Sequence, residues 1–245
     1  EDMGLDTVPG FVKELDGYRN QLAIPYLRDS EVTEELIKEA YQRMQSELRA
    51  SHILVKVASD ATPEDTLVAY KKIIAIRKEI ISGSDFAKIA RLNSQDPSVK
   101  TNGGDLGYFT VFQMVYDFET AAYNTPVTEI SQPVRTRFGY HLIYVTDKRQ
   151  ARGDVKVAHI LILANDKRTP EQNEKAKMKI YEIYNQIGNG ADFGSMARKY
   201  SDDKGSAAKG GELPLFGTGK MVPEFENAAF SLKEVGDVSE PFQSQ

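Results

Sequence analysis

His52 lies in Ala50-Ser51-His52-Ile53-Leu54, and 107 positions later His159 lies in Val157-Ala158-His159-Ile160-Leu161. A carboxylate follows each histidine at one spacing, Asp96 in Ser94-x-Asp96 and Asp203 in Ser201-x-Asp203. Imidazole and carboxylate together can move protons, orient a nucleophile or build a buried hydrogen-bond network. The chain has no cysteine, which removes thiolate catalysis, disulfides and Cys-based metal sites. Ser94, His52 and Asp96 do not read as a hydrolase triad, because no Gly-x-Ser-x-Gly elbow presents the serine. Gly103-Gly104-Asp105-Leu106-Gly107 resembles a phosphate loop only in its glycines; it has no P-loop lysine and follows no βα unit. A histidine on an apolar strand also serves as a satisfied core residue. Either aspartate could equally cap a turn, Asp96 most readily because Pro97 follows it.

These residues belong to a longer repetition. At the same offset Asp85-Phe86 recurs as Asp192-Phe193, and Gly103-Gly104-Asp105-Leu106 as Gly210-Gly211-Glu212-Leu213. Met114 recurs as Met221, and Phe118-Glu119 as Phe225-Glu226. A constant offset over that span means two copies of one domain rather than a solenoid of short repeats. Met114 and Phe118 stand four apart, a spacing that suits a binding socket or plain helical core.

Composition sets outer bounds. The 245 residues are 40% hydrophobic and 27% charged, ordinary for a globular protein that buries a core. A net charge of −5 with no basic stripe argues against nucleic acid as a partner. No apolar run is long enough for a membrane span.

Elements of regular structure must hold the motifs in place. Each copy opens with an apolar, β-branched strand, Ser51–Val57 or Lys156–Leu163. Thr62-Pro63-Glu64-Asp65 and Thr169-Pro170-Glu171-Gln172 then carry a capping threonine, a proline at the first helical position and an acceptor at the third. These helices run to Gly83 and Gly188. Second helices cover Asp85–Leu92 and Asp192–Tyr200, and third helices Asp117–Tyr123 and Glu224–Phe230. A short strand, Gly107–Phe109, follows the glycine turn. Gln132–Val134 and Tyr140–Thr146 form a closing hairpin turned at Phe138-Gly139. Lys148–Asp154 reads as the linker, and Tyr108, Phe109 and Phe112 as exposed aromatics around a groove. Residues 1–48 lie outside the repeats and read as helical, over 10–27 and Thr33–Arg49. The order of elements indicates an α+β domain with a small antiparallel sheet, occurring twice.

The ordered set [Ala/Ser]-His-Ile-Leu, Asp-Phe, Ser-x-Asp, Gly-Gly-[Asp/Glu]-Leu, Met-x-x-x-Phe-Glu and Phe-Gly-Tyr-His resembles the parvulin-type peptidyl-prolyl cis/trans isomerases. The tandem arrangement resembles SurA-like and PpiD-like bacterial envelope folding factors. The resemblance implies two parvulin-like (FKBP-like) domains, each a four-stranded antiparallel sheet with about four helices. They would occupy 49–148 and 154–245, behind a fragment of a chaperone-like helical domain at 1–48. The second copy stops just before the counterpart of Phe138-Gly139-Tyr140-His141, so it is expected to lack its last strand and second histidine. The resemblance further implies His52, Asp96, Thr136 and His141 as a polar catalytic network. It assigns Leu106, Met114 and Phe118 to the proline socket, and His159, Asp203, Leu213, Met221, Phe225 and Ser244 to the second copy. Pro214 replaces Gly107 at that copy's rim. No cofactor or metal is implied. The implied partners are unfolded or extended proline-containing polypeptides, and the implied compartment is the periplasm or cell envelope. The alternative class is a binding module, a chaperone whose parvulin-like units hold clients with little catalysis.

Overall fold

A computed structural model describes residues 34–58, 60–165 and 167–244. The expected helix at 10–27 and the expected cap at Thr33 lie outside the described residues. The chain divides into two units, residues 1–42 and 43–245. Both sequence copies lie in the second unit.

Helix α1 spans Glu34–Met44, shorter than the expected Thr33–Arg49. It ends early because Ser46–Arg49 already belong to strand β1, Ser46–Lys56, whose Leu48 is buried. The first copy continues with α2 (Pro63–Ile81), α3 (Phe86–Asn93), α4 (Val99–Asn102) and β2 (Asp105–Phe109), then α5 (Tyr116–Asn124), β3 (Val134–Thr136) and β4 (Gly139–Gln150). The sheet is antiparallel in the order β2-β1-β4-β3. Strand β4 runs on to Gln150 and pairs with Ser46–Leu48, so Lys148–Gln150 are strand rather than linker. Phe109, expected at an exposed rim, is 1% exposed: it points into the core from β2, while Phe112 beyond the strand is 77% exposed.

Side chains alternate across the sheet and sort into two cores. Ile53, Val55, Val57 and Leu142 face Ile73, Ile76 and Ile80 of α2 and Phe86 and Ile89 of α3. Leu48, Ala50, Ile143 and Val145 face the other way, against Phe109 and the Phe118 of α5. His52 and His141 share that second face by the same alternation. His52 pairs with Ile143 and His141 with Leu54, so the two imidazoles are diagonal neighbours.

Matched local signals start the helices. Thr62 and Thr169 form full capping boxes with Asp65 and Gln172. Asp85 and Asp192 cap the following helices, each side chain accepting a backbone N–H at 2.7 Å. The first helix of the second copy, α6, spans Pro170–Gly188. Its terminating turn is Gly190, which sits in the left-handed region at +97° as Gly83 does at +106°. The helix thus ends at Gly188 as expected, and the repeat equivalent of Gly83 is Gly190 in the turn that follows. Helices α7 (Phe193–Tyr200), α8 (Lys204–Ala207) and α9 (Pro223–Ser231) complete the second copy.

The second copy departs from expectation in its sheet. Lys156–Leu163 forms no strand; the described residues there show only the isolated bridges Val155↔Phe216 and Ala158↔Glu212. In the first copy β1 pairs with β4 from Ser46 to Lys56, but with β2 only near Leu48, Arg49 and Ser51. The two bridges of the second copy fall at the repeat equivalents of Leu48↔Phe109 and Ser51↔Asp105, so what recurs among the described residues is the sparse β1–β2 contact. Pro214, in the segment equivalent to β2, also has no N–H to give a ladder.

The glycine pairs have a steric reason. Gly104 and Gly211 have φ of +93° and +85°, and a Cβ on them would stand 2.5 and 2.3 Å from the carbonyl oxygens of His52 and His159. Gly104→Ala is expected to cost about 2–4 kcal/mol in urea unfolding, whereas Gly83→Ala, with open space around it, costs about 1 kcal/mol. Equal losses would contradict close backbone packing at Gly104.

Candidate functional site

The first-copy site begins with Ser94, which holds a loop against β1. Its Oγ accepts N–H from Leu54 at 3.1 Å and from Asp96 at 3.3 Å. Asp96 is thereby brought under the sheet, where its Oδ2 lies 2.7 Å from His52 Nε2. Its Oδ1 accepts from both the N–H and the hydroxyl of Ser98 at 2.9 Å. His52 Nδ1 faces His141 Nδ1 at 3.3 Å, and His141 Nε2 lies 2.8 Å from Thr136 Oγ1. Thr136 Oγ1 accepts the Phe138 N–H at 3.2 Å. All four expected polar residues therefore meet in one chain.

Proton accounting gives that chain a direction. Burial opposes ionisation of Asp96, but the Ser98 donors and His52 outweigh it and hold its carboxyl below the usual range. A carboxylate only accepts, so His52 Nε2 donates to it. Neutral His52 then offers a bare Nδ1, which His141 Nδ1–H fills. His141 Nε2 is left bare and receives the Thr136 hydroxyl, whose oxygen accepts from Phe138. Every position has one donor and one acceptor, with both rings uncharged. Burial drives this state: it pushes His52 below its ordinary value, against the pull of Asp96, and His141 down to about 4. For His141 the field of His52 acts in the same direction.

The apolar wall stands on this floor. Phe118 is 3% exposed and meets both imidazoles edge to face, 5.8 Å from His52 and 5.4 Å from His141. Leu106 and Met114 are partly buried and pack against the same cluster. Phe118 is thus the buried base of this apolar cluster, and Leu106 and Met114 are its partly exposed sides.

The second copy repeats half of this wiring. His159 Nε2 lies 2.8 Å from Asp203 Oδ2, and Phe225 stands edge to face 5.7 Å from the His159 ring. Ser206, at the position of Val99, lies 3.0 Å from the same His159 nitrogen and donates to Asp203 Oδ2. Hydrogen bonds from Ser206 first, then His159, bring the Asp203 carboxyl down to about 2. His159, Leu213, Met221, Phe225, Phe242 and Ser244 line a cavity of about 420 Å³. Ser244 is exposed in that lining, whereas its counterpart Thr136 is buried against His141.

Several site residues escaped the sequence reading. Ser98 and Ser206 supply the hydroxyls on the two aspartates. Glu119 and Glu226, visible only as the second half of a repeated Phe-Glu, are buried. No group of three or more His, Cys, Asp or Glu side chains among the described residues could hold a metal.

The PPIC-type PPIase domain family matches residues 35–149 and, again, 147–245. The chain is 36% identical over 202 residues to Chaperone SurA of Chromohalobacter salexigens, covering 80% of this chain and 45% of that protein. It is 32% identical over 249 residues to Chaperone SurA of Methylococcus capsulatus, covering 94% and 54%. This chain therefore spans about half the length of those relatives. A solved peptidylprolyl isomerase, PrsA from Bacillus anthracis, is 31% identical over 61% of this chain and 57% of its own, with a TM-score of 0.38.

The neutral histidine pair has a pH consequence. An imidazole whose folded pKa lies below its unfolded value stabilises the fold fully above the unfolded value, near 6.5, and less as pH falls toward about 4. The His141 shift corresponds to about 3 kcal/mol lost across that window. Urea unfolding from pH 7 to 4 is expected to show this fall, and His141→Asn to flatten it. A flat profile for the parent chain would contradict the uncharged pair.

Proposed function

We propose, from the premise that this chain belongs to the PPIC-type peptidyl-prolyl isomerase family, that its first copy catalyses cis/trans rotation of X-Pro bonds. The observation that carries this reading is the closed chain from the Asp96 carboxylate through two uncharged imidazoles to Thr136, beneath Phe118 and with Leu106 and Met114 beside it.

The reaction needs no nucleophile. Rotation about an X-Pro bond faces a barrier of about 20 kcal/mol and breaks no covalent bond. The planar amide is favoured by charge-separated resonance, and the twisted state has less charge separation. A dry socket gripping the proline ring favours the twisted state over the planar one. A thousand-fold acceleration requires only about 4 kcal/mol of such preference. Leu106, Met114 and Phe118 would hold the ring. His52 and His141 would fix Phe118 from below without presenting a charge to the amide. Asp96 and Thr136 would act through the imidazoles, holding one tautomer in each ring.

Unfolded or extended proline-containing polypeptides are the substrates in this reading, supported by the similarity to proteins named Chaperone SurA. The tandem arrangement supports assistance to folding in the bacterial periplasm or envelope. Among the described residues no helix is long and apolar enough to cross a membrane.

The test is the cis-to-trans rate of a panel of X-Pro peptides with the parent chain and with Met114→Ala. The parent is expected to accelerate isomerisation, and Met114→Ala to lower kcat/KM by about 10-fold or more. A folded parent that binds an unfolded polypeptide without accelerating any peptide would replace this reading with that of a client-holding chaperone.

A further inference from the structure

Glu119 and Glu226 follow Phe118 and Phe225 directly, and they are 3% and 6% exposed. An arginine meets each. Arg43 Nη1 donates to Glu119 Oε1 at 2.8 Å, and its guanidinium lies 5.3 Å from the Tyr123 ring centroid. Arg152 Nη2 donates to Glu226 Oε2 at 3.3 Å, and its guanidinium lies 4.0 Å from the Phe230 centroid. Tyr123 and Phe230 are repeat equivalents, but the arginines are not at the repeat offset. Each reaches in from the segment leading into its own copy, the end of α1 for Arg43 and the linker for Arg152.

The other oxygen of Glu119 faces the socket loop, accepting the Phe112 N–H at 2.7 Å. Glu226 accepts from Lys220 and Met221 at 2.9 and 3.1 Å. Both loops carry the socket methionine. In the first copy the bonded residue is under strain: Phe112 has φ +67°, where its counterpart Gly219 has +78°. A left-handed angle is unfavourable for a phenylalanine, so surrounding contacts must impose it. The Glu119 carboxylate is such a contact. Gln113 adds another, donating to the Thr218 carbonyl of the second copy at 2.7 Å. A buried ion pair is poor value as stability alone, because desolvation cancels much of its attraction. Its appearance twice, each time joining entering chain to socket loop, points to positioning.

We propose that Glu119, clamped by Arg43, is the positioning residue of the first copy's proline socket, setting the Phe112–Met114 loop. Glu226 with Arg152 does the same in the second copy. This inference rests on the isomerase reading, deepens it, and can fail separately. The experiment measures kcat and KM for an X-Pro peptide with the full chain, Arg43→Ala and Glu119→Gln. The glutamine keeps an oxygen for the Phe112 N–H but loses the charged pair. A displaced socket raises KM, whereas partial unfolding lowers apparent kcat and leaves KM unchanged. Arg43→Ala is expected to raise KM about 10-fold with kcat within about two-fold, and Glu119→Gln to raise it less. Unchanged KM in both variants overturns the proposal. If Arg43→Ala fails to fold, the KM of Glu119→Gln decides alone. An inactive parent would instead refute the isomerase reading. The Met114 methyl resonance would then decide: a shift in Glu119→Gln supports the clamp, and an unmoved signal overturns it.

Discussion

Two imidazoles face each other through the same kind of nitrogen, Nδ1 to Nδ1, inside the sheet's second core. Only one hydrogen fits between them. That constraint sets the rest of the first copy: one ring must donate, the other must accept, and each outer nitrogen must find the opposite partner. Asp96 takes one end and Thr136 the other. A proton added to His52 Nδ1 would put two donors nose to nose, and one added to His141 Nε2 would force the Thr136 hydroxyl to turn and accept. The register of β1 against β4 is bound by the same requirement, since a one-residue slip would send one imidazole to the opposite face. Phe118, edge-on to both rings, inherits its position from them.

The structure divides labour between floor and wall. The floor is a closed hydrogen-bond chain in which two uncharged imidazoles lie between the Asp96 carboxylate and Thr136. The wall is apolar and belongs to a loop and a helix that the floor does not fully hold. Glu119, paired with Arg43, accepts the Phe112 N–H of that loop. The second copy keeps the wall pattern and the His159–Asp203 contact. It routes its aspartate through Ser206, a residue with no hydroxyl counterpart in Val99.

Much of this was legible in the sequence because it rests on local or repeated signals. The capping boxes at Thr62 and Thr169, the His52–Asp96 spacing and the glycine pair at 103–104 all recur at one offset. A repeat filters chance from requirement. What escaped depends on long-range geometry. Leu48 looked helical because its apolar spacing continues that of α1, yet pairing with β4 claims it for β1. Phe109 reads as exposed from its polar and glycine neighbours, while strand alternation buries it. Glu119 looks like a surface helix residue until Arg43, 76 positions away, is seen to meet it. Lys156–Leu163 reads as a strand from its apolar residues, but the described residues there form only isolated bridges, and Pro214 opposite has no N–H to extend them.

The central claim is the directional chain from Phe138 to the Asp96 carboxylate with both imidazoles uncharged, and its protons can be observed. Long-range ¹⁵N–¹H correlation spectra of the imidazoles at pH 7 report which ring nitrogen carries hydrogen. The account requires His52 as the Nε2–H tautomer and His141 as the Nδ1–H tautomer, both neutral. A charged ring at either position, or hydrogen on His52 Nδ1, would contradict it.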